Sequence, residues 1–469
     1  MQGENTKIVC TIGPASSSKR ILRQLIMAGM DVARLNFSHG SHEGHEKVIH
    51  SVRTLSAELD KSVAILQDLQ GPKIRTGEFE GERVELKKNQ EWIITTRKVK
   101  GGAGLISTTY RGIVNDLKKG DRILIDDGLI ELTVLSKDKR QLYCKVVTGG
   151  VLGAHKGINL PGVTTSIPSL TKKDKEDLEV GIEAGVDYVA LSFVRSARDV
   201  RALKRFLKNK KADIPVIAKI EKPQALQELE GILDACEGIM VARGDLGVEL
   251  SPEKVPVAQK KMIRMANEKR KLVITATQML ESMTDHPRPT RAETSDVANA
   301  ILDGTDAVML SAETSIGQYP VQSVRMMKKI ARETETNFAP KSFYGRKSSN
   351  FPDAISEAAC VAADDLGLKA IVAFSQSGFT AALISKYRPS VPIIAFPPDE
   401  VVQRRLALYW GVNARVIPDL TDTDDMIQTV EALLLEQRLA RKGDRIAIIA
   451  GTPLNVKGTT NMMKLHVMQ

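Results

Sequence analysis

Three short stretches put charged and polar residues two positions apart, the spacing at which neighbours on a β-strand point to one face. In Val-Ala-Arg-Leu-Asn-Phe-Ser-His-Gly, Arg34, Asn36 and Ser38 share a face, with Ala33, Leu35 and Phe37 on the other. In Ile-Ala-Lys-Ile-Glu the pair is Lys219 and Glu221. In Val-Ala-Arg-Gly-Asp-Leu-Gly it is Arg243 and Asp245, with Gly244 offering bare backbone between them. Asp68, Thr277 and Gln278 close other apolar runs. Two carboxylates, Glu221 and Asp245, completed by water and substrate oxygens, suit Mg2+ or Mn2+, which prefer hard oxygen ligands and take one or two carboxylates from the protein. Lys219 and Arg34 would then face dense negative charge, a phosphoryl group rather than a neutral sugar. Phosphoryl transfer needs positioning and charge neutralisation more than covalent chemistry, and a metal with a lysine and an arginine supplies both. Taken singly, each residue could be half of an ordinary ion pair. Their recurrence at the ends of separate apolar runs is what favours a site.

The elements that must carry these residues are legible in hydrophobic periodicity. Eight β-branched runs are predicted as strands: Lys7 to Ile12, Val32 to Phe37, Val63 to Leu69, Tyr188 to Phe193, Val216 to Glu221, Ile239 to Arg243, Leu272 to Thr277 and Ala307 to Ser311. Most precede an amphipathic stretch with start and stop signals, such as Ser18 to Ala28 before Gly29, or Pro320 to Glu335. Eight such units argue for an α/β fold built on a (β/α)8 TIM barrel, whose active site lies at the C-terminal ends of the strands. About a hundred residues of different texture interrupt the third unit. There Glu91 to Thr96, Asp121 to Ile125, Ile130 to Leu135 and Gln141 to Val147 are short, β-branched and punctuated by glycine, which predicts an inserted small β-barrel placed like a lid. Lys341 to Asn350 reads as a polar linker. Beyond it strands at Ala370 to Phe374, Val391 to Phe396, Ala414 to Pro418, Arg445 to Ala450 and Lys464 to Met468 predict a doubly wound α/β domain. The expected division is residues 1–70 with 169–340 for the barrel, 71–168 for the lid and 341–469 for the C-terminal domain.

A chain of 469 residues is too long for one ordinary core. With 67 Lys and Arg against 57 Asp and Glu, its net charge of +10 suits anionic partners. Those cations are scattered and aromatics make up only 4%, so phosphorylated metabolites are expected rather than nucleic acid. No run approaches the roughly 20 apolar residues of a membrane span, and an unexported protein is expected. Four widely spaced cysteines form no metal or disulfide pattern, and a cytoplasmic location is expected. His39, His42, His45 and His50 follow strand two, but their spacing fits a solvated loop and helix start better than a metal cluster. There is no P-loop. In the C-terminal domain, Ser375, Ser377, Gly378 and Thr380 lie at a turn that opens a helix, where backbone amides and hydroxyls can hold an anion. Lys386 with Arg388, and Arg404 with Arg405, favour a phosphate there.

At these residues the sequence resembles pyruvate kinase, from Lys7 to Met468. The matching stretches are Thr-Ile-Gly-Pro-Ala-Ser, Arg-Leu-Asn-Phe-Ser-His-Gly, Asp-Leu-Gln-Gly-Pro-Lys-Ile-Arg-Thr-Gly, Lys-Gly-Ile-Asn-Leu-Pro-Gly, Ala-Lys-Ile-Glu, Met-Val-Ala-Arg-Gly-Asp-Leu-Gly-Val-Glu and Thr-Ala-Thr-Gln-Met-Leu-Glu-Ser-Met, with Pro-Thr-Arg-Ala-Glu and Asp-Ala-Val-Met-Leu-Ser-Ala-Glu-Thr following in order. The resemblance implies Mg2+-dependent phosphoryl transfer from phosphoenolpyruvate to ADP, giving pyruvate and ATP in the last step of glycolysis, by a homotetramer activated by a phosphorylated effector. By motif, Lys219 matches the lysine that stabilises the phosphoryl group in flight, Glu221 and Asp245 the Mg2+ ligands, and Arg34 the substrate-binding arginine. Gly244, Asp245 and Thr277 match the groups that hold the substrate carboxylate, and Thr277 also the residue that helps protonate the enolate. Asn36, Phe37, Ser38, His39, Arg75 and Lys156 match nucleotide contacts. Asn36, Ser38, Asp68 and the Leu69 backbone match a monovalent-cation site.

One departure bears on that last site. Many members read Thr-Lys-Gly-Pro-Glu where this chain has Leu69-Gln70-Gly71-Pro72-Lys73. The lysine resembles the K+-independent branch, so K+ is expected to be dispensable. The C-terminal loop also lacks the lysine of some fructose-1,6-bisphosphate-regulated members, and the extra phosphohistidine-like segment of some bacterial members is not expected. Two rival readings stand beside this one: a metal-dependent barrel aldolase or lyase acting on an enolpyruvate-type substrate, and a silent metabolite sensor. The aldolase or lyase would have no need of a lid bearing nucleotide contacts. The sensor should have lost Lys219, Glu221 or Asp245.

Overall fold

A computed structural model describes residues 5–338, 348, 350–417, 422–452 and 460–469. Most of the expected linker, and Pro418 at the end of the expected strand from Ala414, lie outside the described residues.

Eight parallel strands close into a barrel: β1 (Lys7–Ile12), β2 (Val32–Asn36), β3 (Ala64–Asp68), β4 (Tyr188–Leu191), β5 (Val216–Ile220), β6 (Gly238–Ala242), β7 (Leu272–Ala276) and β8 (Ala307–Leu310). The ring runs β1 to β8 in sequence order, β8 pairing with β1 through Lys7 opposite Ala307 and β3 with β4 through Leu66 opposite Tyr188. The alternation on each strand divides the apolar side chains in two. Val9, Val32, Leu66, Ile217, Met240, Ile274 and Met309 fill the barrel interior, while Leu35, Ile65, Leu191, Ile220 and Val308 pack outward against the helices. The helices begin where cap residues dictate. Ser18 accepts from the Ile21 amide, Thr171 and Thr290 form capping boxes with Asp174 and Glu293, and Gly29 at φ 120° ends the first helix, Lys19–Ala28.

Between β3 and β4 a second core forms around Trp92, Ile94, Ile123, Leu132, Leu142 and Val146. Its six strands run in the order Ile158–Asn159, Arg122–Ile125, Ile130–Lys137, Gln141–Thr148, Glu91–Thr95 and Leu105–Ser107, with Arg83–Leu86 and Gly150–Gly153 as a separate ribbon. No ladder joins the outer strands. Single bridges, Arg75 to Gly157 and Thr76 to Thr108, draw the two edges together.

The C-terminal domain is a five-stranded sheet in the order Val412–Ala414, Ile393–Phe396, Ala370–Phe374, Arg445–Gly451 and Thr460–Val467, the last antiparallel. Helices cover both faces: Phe351–Leu366 and Phe379–Tyr387 on one, Thr423–Glu436 on the other. The turn after Ala370–Phe374 lies where the strand order reverses, the position at which open α/β sheets bind ligands.

The cations expected to favour a phosphate at that turn are elsewhere. Lys386 and Arg388 sit at the far end of the helix and reach the N-terminal mouth of the barrel, where both pair with the fully buried Asp306, Arg388 at 2.8 Å. Arg404 pairs with Asp187 at 2.9 Å and Arg405 with the Asp213 backbone carbonyl. Ala407 and Leu408 join the apolar cluster of the barrel interior. A buried cation requires a buried anion, and the barrel's own carboxylates provide it. The four cations therefore fasten the two units and do not form a ligand site.

Candidate active site

The strand-end residues converge at the C-terminal mouth of the barrel. Arg34, on the inward face of β2, donates through Nε to Asp68 Oδ2 at 2.7 Å and through Nη1 to Thr11 Oγ1 at 2.8 Å. Lys219, inward on β5, places its ammonium 3.2 Å from Asp68 Oδ1 and 3.0 Å from Glu221 Oε1, and donates to Ser192 Oγ at 2.8 Å. Arg34 and Lys219 thus share Asp68, which is 1% exposed. Burial pushes the Asp68 carboxyl up, but the two cations outweigh it and hold its pKa below the ordinary range. Burial likewise opposes the charge of Lys219, yet Asp68 and Glu221 raise its pKa far above normal.

Glu221 stands one residue beyond β5, fixed by the Phe193 amide, which donates to Oε2 at 2.8 Å. Its pKa is raised, first by burial and then by Asp245, against the pull of Lys219. Two neighbouring carboxylates, one buried and reluctant to ionise, are the surroundings that a divalent cation relieves. Among the described residues no three His, Cys, Asp or Glu are grouped so as to hold a metal ion.

Arg243 and Asp245 do not share a strand face. β6 ends at Ala242, and Arg243–Glu249 is a short helix, so strand alternation does not apply to them. Thr277 and Gln278 follow the end of β7 in left-handed backbone, φ 67° and 54°. Thr277 Oγ1 accepts from the Gly244 amide at 2.7 Å and donates to the Ala276 carbonyl at 2.7 Å. The Arg243 guanidinium is turned to this corner, donating through Nη2 to the Thr277 carbonyl at 2.7 Å.

Ser38 lies past β2, and its amide donates to Asn36 Oδ1 at 3.1 Å. His39 is exposed; burial lowers its pKa first, followed by Arg75, Lys73, Arg34 and Lys173, so four cations converge on this side of the cleft. Arg75 donates to the His155 carbonyl at 2.9 Å, and Lys156 pairs with Asp126 at 2.9 Å, both within the lid. Lys73 is exposed and borders the cleft between lid and barrel with Lys222, Phe193 and Asp245. His42 bonds Asp177 at 2.7 Å and His45 stacks on Phe37, as structural histidines do.

Ser192 was missed from the sequence. Its hydroxyl accepts from Lys219 and donates to the Leu69 carbonyl at 2.6 Å, tying β4 to the cluster. The i, i+2 filter applied to Tyr188, Ala190 and Ser192 would have found it, because the first two face the barrel interior. Glu249 was also missed. It accepts from Asn159 of the lid at 3.1 Å and pairs with Lys222, joining lid to barrel beside the cleft.

Comparison with known proteins places this geometry. The family model of the pyruvate kinase barrel domain matches residues 3–324, and that of the pyruvate kinase alpha/beta domain residues 353–466. The chain is 47% identical to pyruvate kinase 2 of Synechocystis sp. over 468 residues, covering 99% of this chain and 79% of that protein. It is 46% identical to the pyruvate kinase of Staphylococcus epidermidis, covering 98% and 80%. A crystal structure of a pyruvate kinase from Cryptosporidium parvum superposes with a TM-score of 0.95 at 38% identity, covering 99% of this chain and 96% of that one.

Proposed function

This chain belongs to the pyruvate kinase family, a family of phosphotransferases, and from that premise we propose that it moves the phosphoryl group of phosphoenolpyruvate to ADP at the Arg34, Lys219, Glu221 cluster. The observation that carries the assignment is the Lys219 ammonium, held by Asp68, Glu221 and Ser192 at the mouth of the barrel.

In this reading the bond between phosphorus and the enol oxygen breaks, a β-phosphate oxygen of ADP takes the phosphoryl group, and the enolate left behind gains a proton at C3 to become pyruvate. Lys219 and Arg34 oppose the charge that spreads over the phosphoryl oxygens in flight. Both are already oriented by Asp68, so neither has to reorganise during the transfer. Glu221 and Asp245 would hold Mg2+, which would supply further charge neutralisation when bound. The Gly244 and Asp245 amides and the Thr277 hydroxyl receive the substrate carboxylate, and Thr277 assists proton delivery to C3. Asn36, Phe37, Ser38, His39, Arg75 and Lys156 take the nucleotide, supported by the four cations that converge on His39.

The same reading extends to regulation and cations. A phosphorylated metabolite is received at Ser375, Ser377, Gly378 and Thr380, where Gly378 adopts φ 80° and Ser375 Oγ accepts from the Thr380 amide at 3.1 Å. Asn36, Ser38, Asp68 and Leu69 surround the monovalent-cation position, and the enzyme works as a cytoplasmic homotetramer in glycolysis. No helix among the described residues is long and apolar enough to cross a membrane.

An assay of pyruvate formation coupled to lactate dehydrogenase, with and without ADP, tests the activity. Pyruvate should form from phosphoenolpyruvate only when ADP and Mg2+ are both present. Equal pyruvate formation without ADP would return the protein to the lyase reading.

A further inference from the structure

The corner after β7 is strained and heavily held. Thr277 is β-branched, and such residues seldom adopt a left-handed φ, yet Thr277 and Gln278 do so in succession, at 67° and 54°. A corner like this persists only when its surroundings over-determine it. Here one side chain does most of the holding. Arg243 Nε lies 3.3 Å from the Ala276 carbonyl and 3.2 Å from that of Thr277, and Nη2 donates to the carbonyls of Thr277 at 2.7 Å and Gln278 at 3.2 Å. The opposite edge of the guanidinium grips Asp296, Nη1 lying 2.7 and 2.6 Å from its two carboxylate oxygens. On the far side of the corner Glu313, fully buried, accepts from the Leu280 amide at 2.9 Å.

We infer that Arg243, anchored by Asp296, is a positioning residue that holds the left-handed Thr277–Gln278 corner so that the Thr277 hydroxyl meets the reacting carbon; this rests on the role given to Thr277 above. The planar fork is what the task requires. A guanidinium can address three successive carbonyls and a carboxylate at once, whereas a lysine ammonium cannot span them. Asp296 orients that fork from the helix Arg291–Leu302, so a residue with no contact to substrate sets where a hydroxyl sits. A misplacement of about 1 Å at a reacting group can cost on the order of a hundredfold in rate.

The test compares Arg243→Lys, Asp296→Asn and Thr277→Ala for steady-state kinetics and for exchange of the C3 hydrogens of pyruvate with deuterated solvent, which reports proton transfer at that carbon alone. Arg243→Lys and Asp296→Asn should each slow exchange and kcat by about ten- to a hundredfold while the KM for phosphoenolpyruvate shifts less than about threefold. Asp296→Asn keeps shape and one acceptor, so it remains informative if the arginine variants fold poorly. Guanidinium ion added at millimolar concentration should restore part of the exchange to Arg243→Ala and none to Thr277→Ala. Wild-type exchange in both Arg243→Lys and Asp296→Asn, with slow exchange in Thr277→Ala, would overturn the clamp. Wild-type exchange in Thr277→Ala would instead remove the role of Thr277, and the clamp's purpose with it.

Discussion

Lys219→Met is the perturbation with the clearest expected result. The ammonium lies 3.0 Å from Glu221 and 3.2 Å from Asp68, and its side chain is 12% exposed, so solvent screens it little. Two opposite charges about 3 Å apart attract by ~5 kcal/mol at an intermediate dielectric, and desolvation cancels much of that gross gain. The net cost to folding should be limited to about 1–2 kcal/mol, because each carboxylate has another way to settle. Asp68 keeps Arg34, and Glu221 can take a proton. Catalysis has no such alternative. A preorganised donor aimed at charge in the transition state is worth about 3–4 kcal/mol, so kcat should fall roughly 10²- to 10³-fold.

The same substitution makes a second, directional prediction. Burial and Asp245 raise the pKa of Glu221, and Lys219 is the group that pulls it back. Removing the lysine must raise it further, so the acid limb of the pH profile for the residual activity should move to higher pH. In the lactate-dehydrogenase-coupled assay, a variant that keeps more than about a tenth of wild-type turnover would refute the assigned role. So would an acid limb that stays in place, since Glu221 and Lys219 would then not be coupled in solution. Circular dichroism and a urea midpoint on the same preparation separate lost chemistry from lost fold.

Glu221→Gln should leave the fold intact and raise the Mg2+ concentration for half-maximal activity at least tenfold; an unchanged activation curve would remove Glu221 from the metal shell. Asp306→Asn should destabilise the protein by about 3–5 kcal/mol, because it strands the buried cations Lys386 and Arg388 at the barrel mouth, and a urea-unfolding midpoint within error of wild type would show that they find another anion. In tetraalkylammonium buffer free of Na+ and K+, turnover with Mg2+ should stay within a few-fold of that in K+, and Lys73→Glu should create a K+ requirement. A large K+ stimulation of the wild-type enzyme would show that the exposed Lys73 does not act as the cation.

What the sequence disclosed, and what it concealed, follows from how far each inference had to reach along the chain. All eight barrel strands lie within a residue or two of their expected bounds, because each is a continuous apolar run between turn residues and needs no distant partner to be recognised. The i, i+2 rule placed Arg34 and Lys219 correctly for the same reason, since both lie inside strands. It also brought Glu221 to Lys219, at 3.0 Å, although Glu221 stands one residue past β5 and is fixed by the Phe193 amide. It failed beyond β6, where Arg243 begins a helix and a period of two has no meaning.

The larger misreading concerns cations, and it marks where sequence reasoning about charge stops. Lys386 and Arg388, beside a serine-rich turn in sequence, looked like reinforcements for an anion site. The helix Phe379–Tyr387 rises about 1.5 Å per residue, so they stand a helix length away from the turn, against Asp306 of the barrel. Arg243 carries the same lesson within the active site. A guanidinium next to a glycine and an aspartate suggests a substrate contact, but its nitrogens are directed to Ala276, Thr277, Gln278, Met279, Gln259 and Asp296. Charge next to a site in sequence shows that an anion is near, and only the fold decides whether that anion is a ligand or the protein's own carboxylate. By that criterion Lys219 is the exception that defines the site. Its partners Asp68 and Glu221 are the protein's own, yet they stand at the C-terminal mouth of the barrel, where the proposed transfer requires substrate to meet the same ammonium.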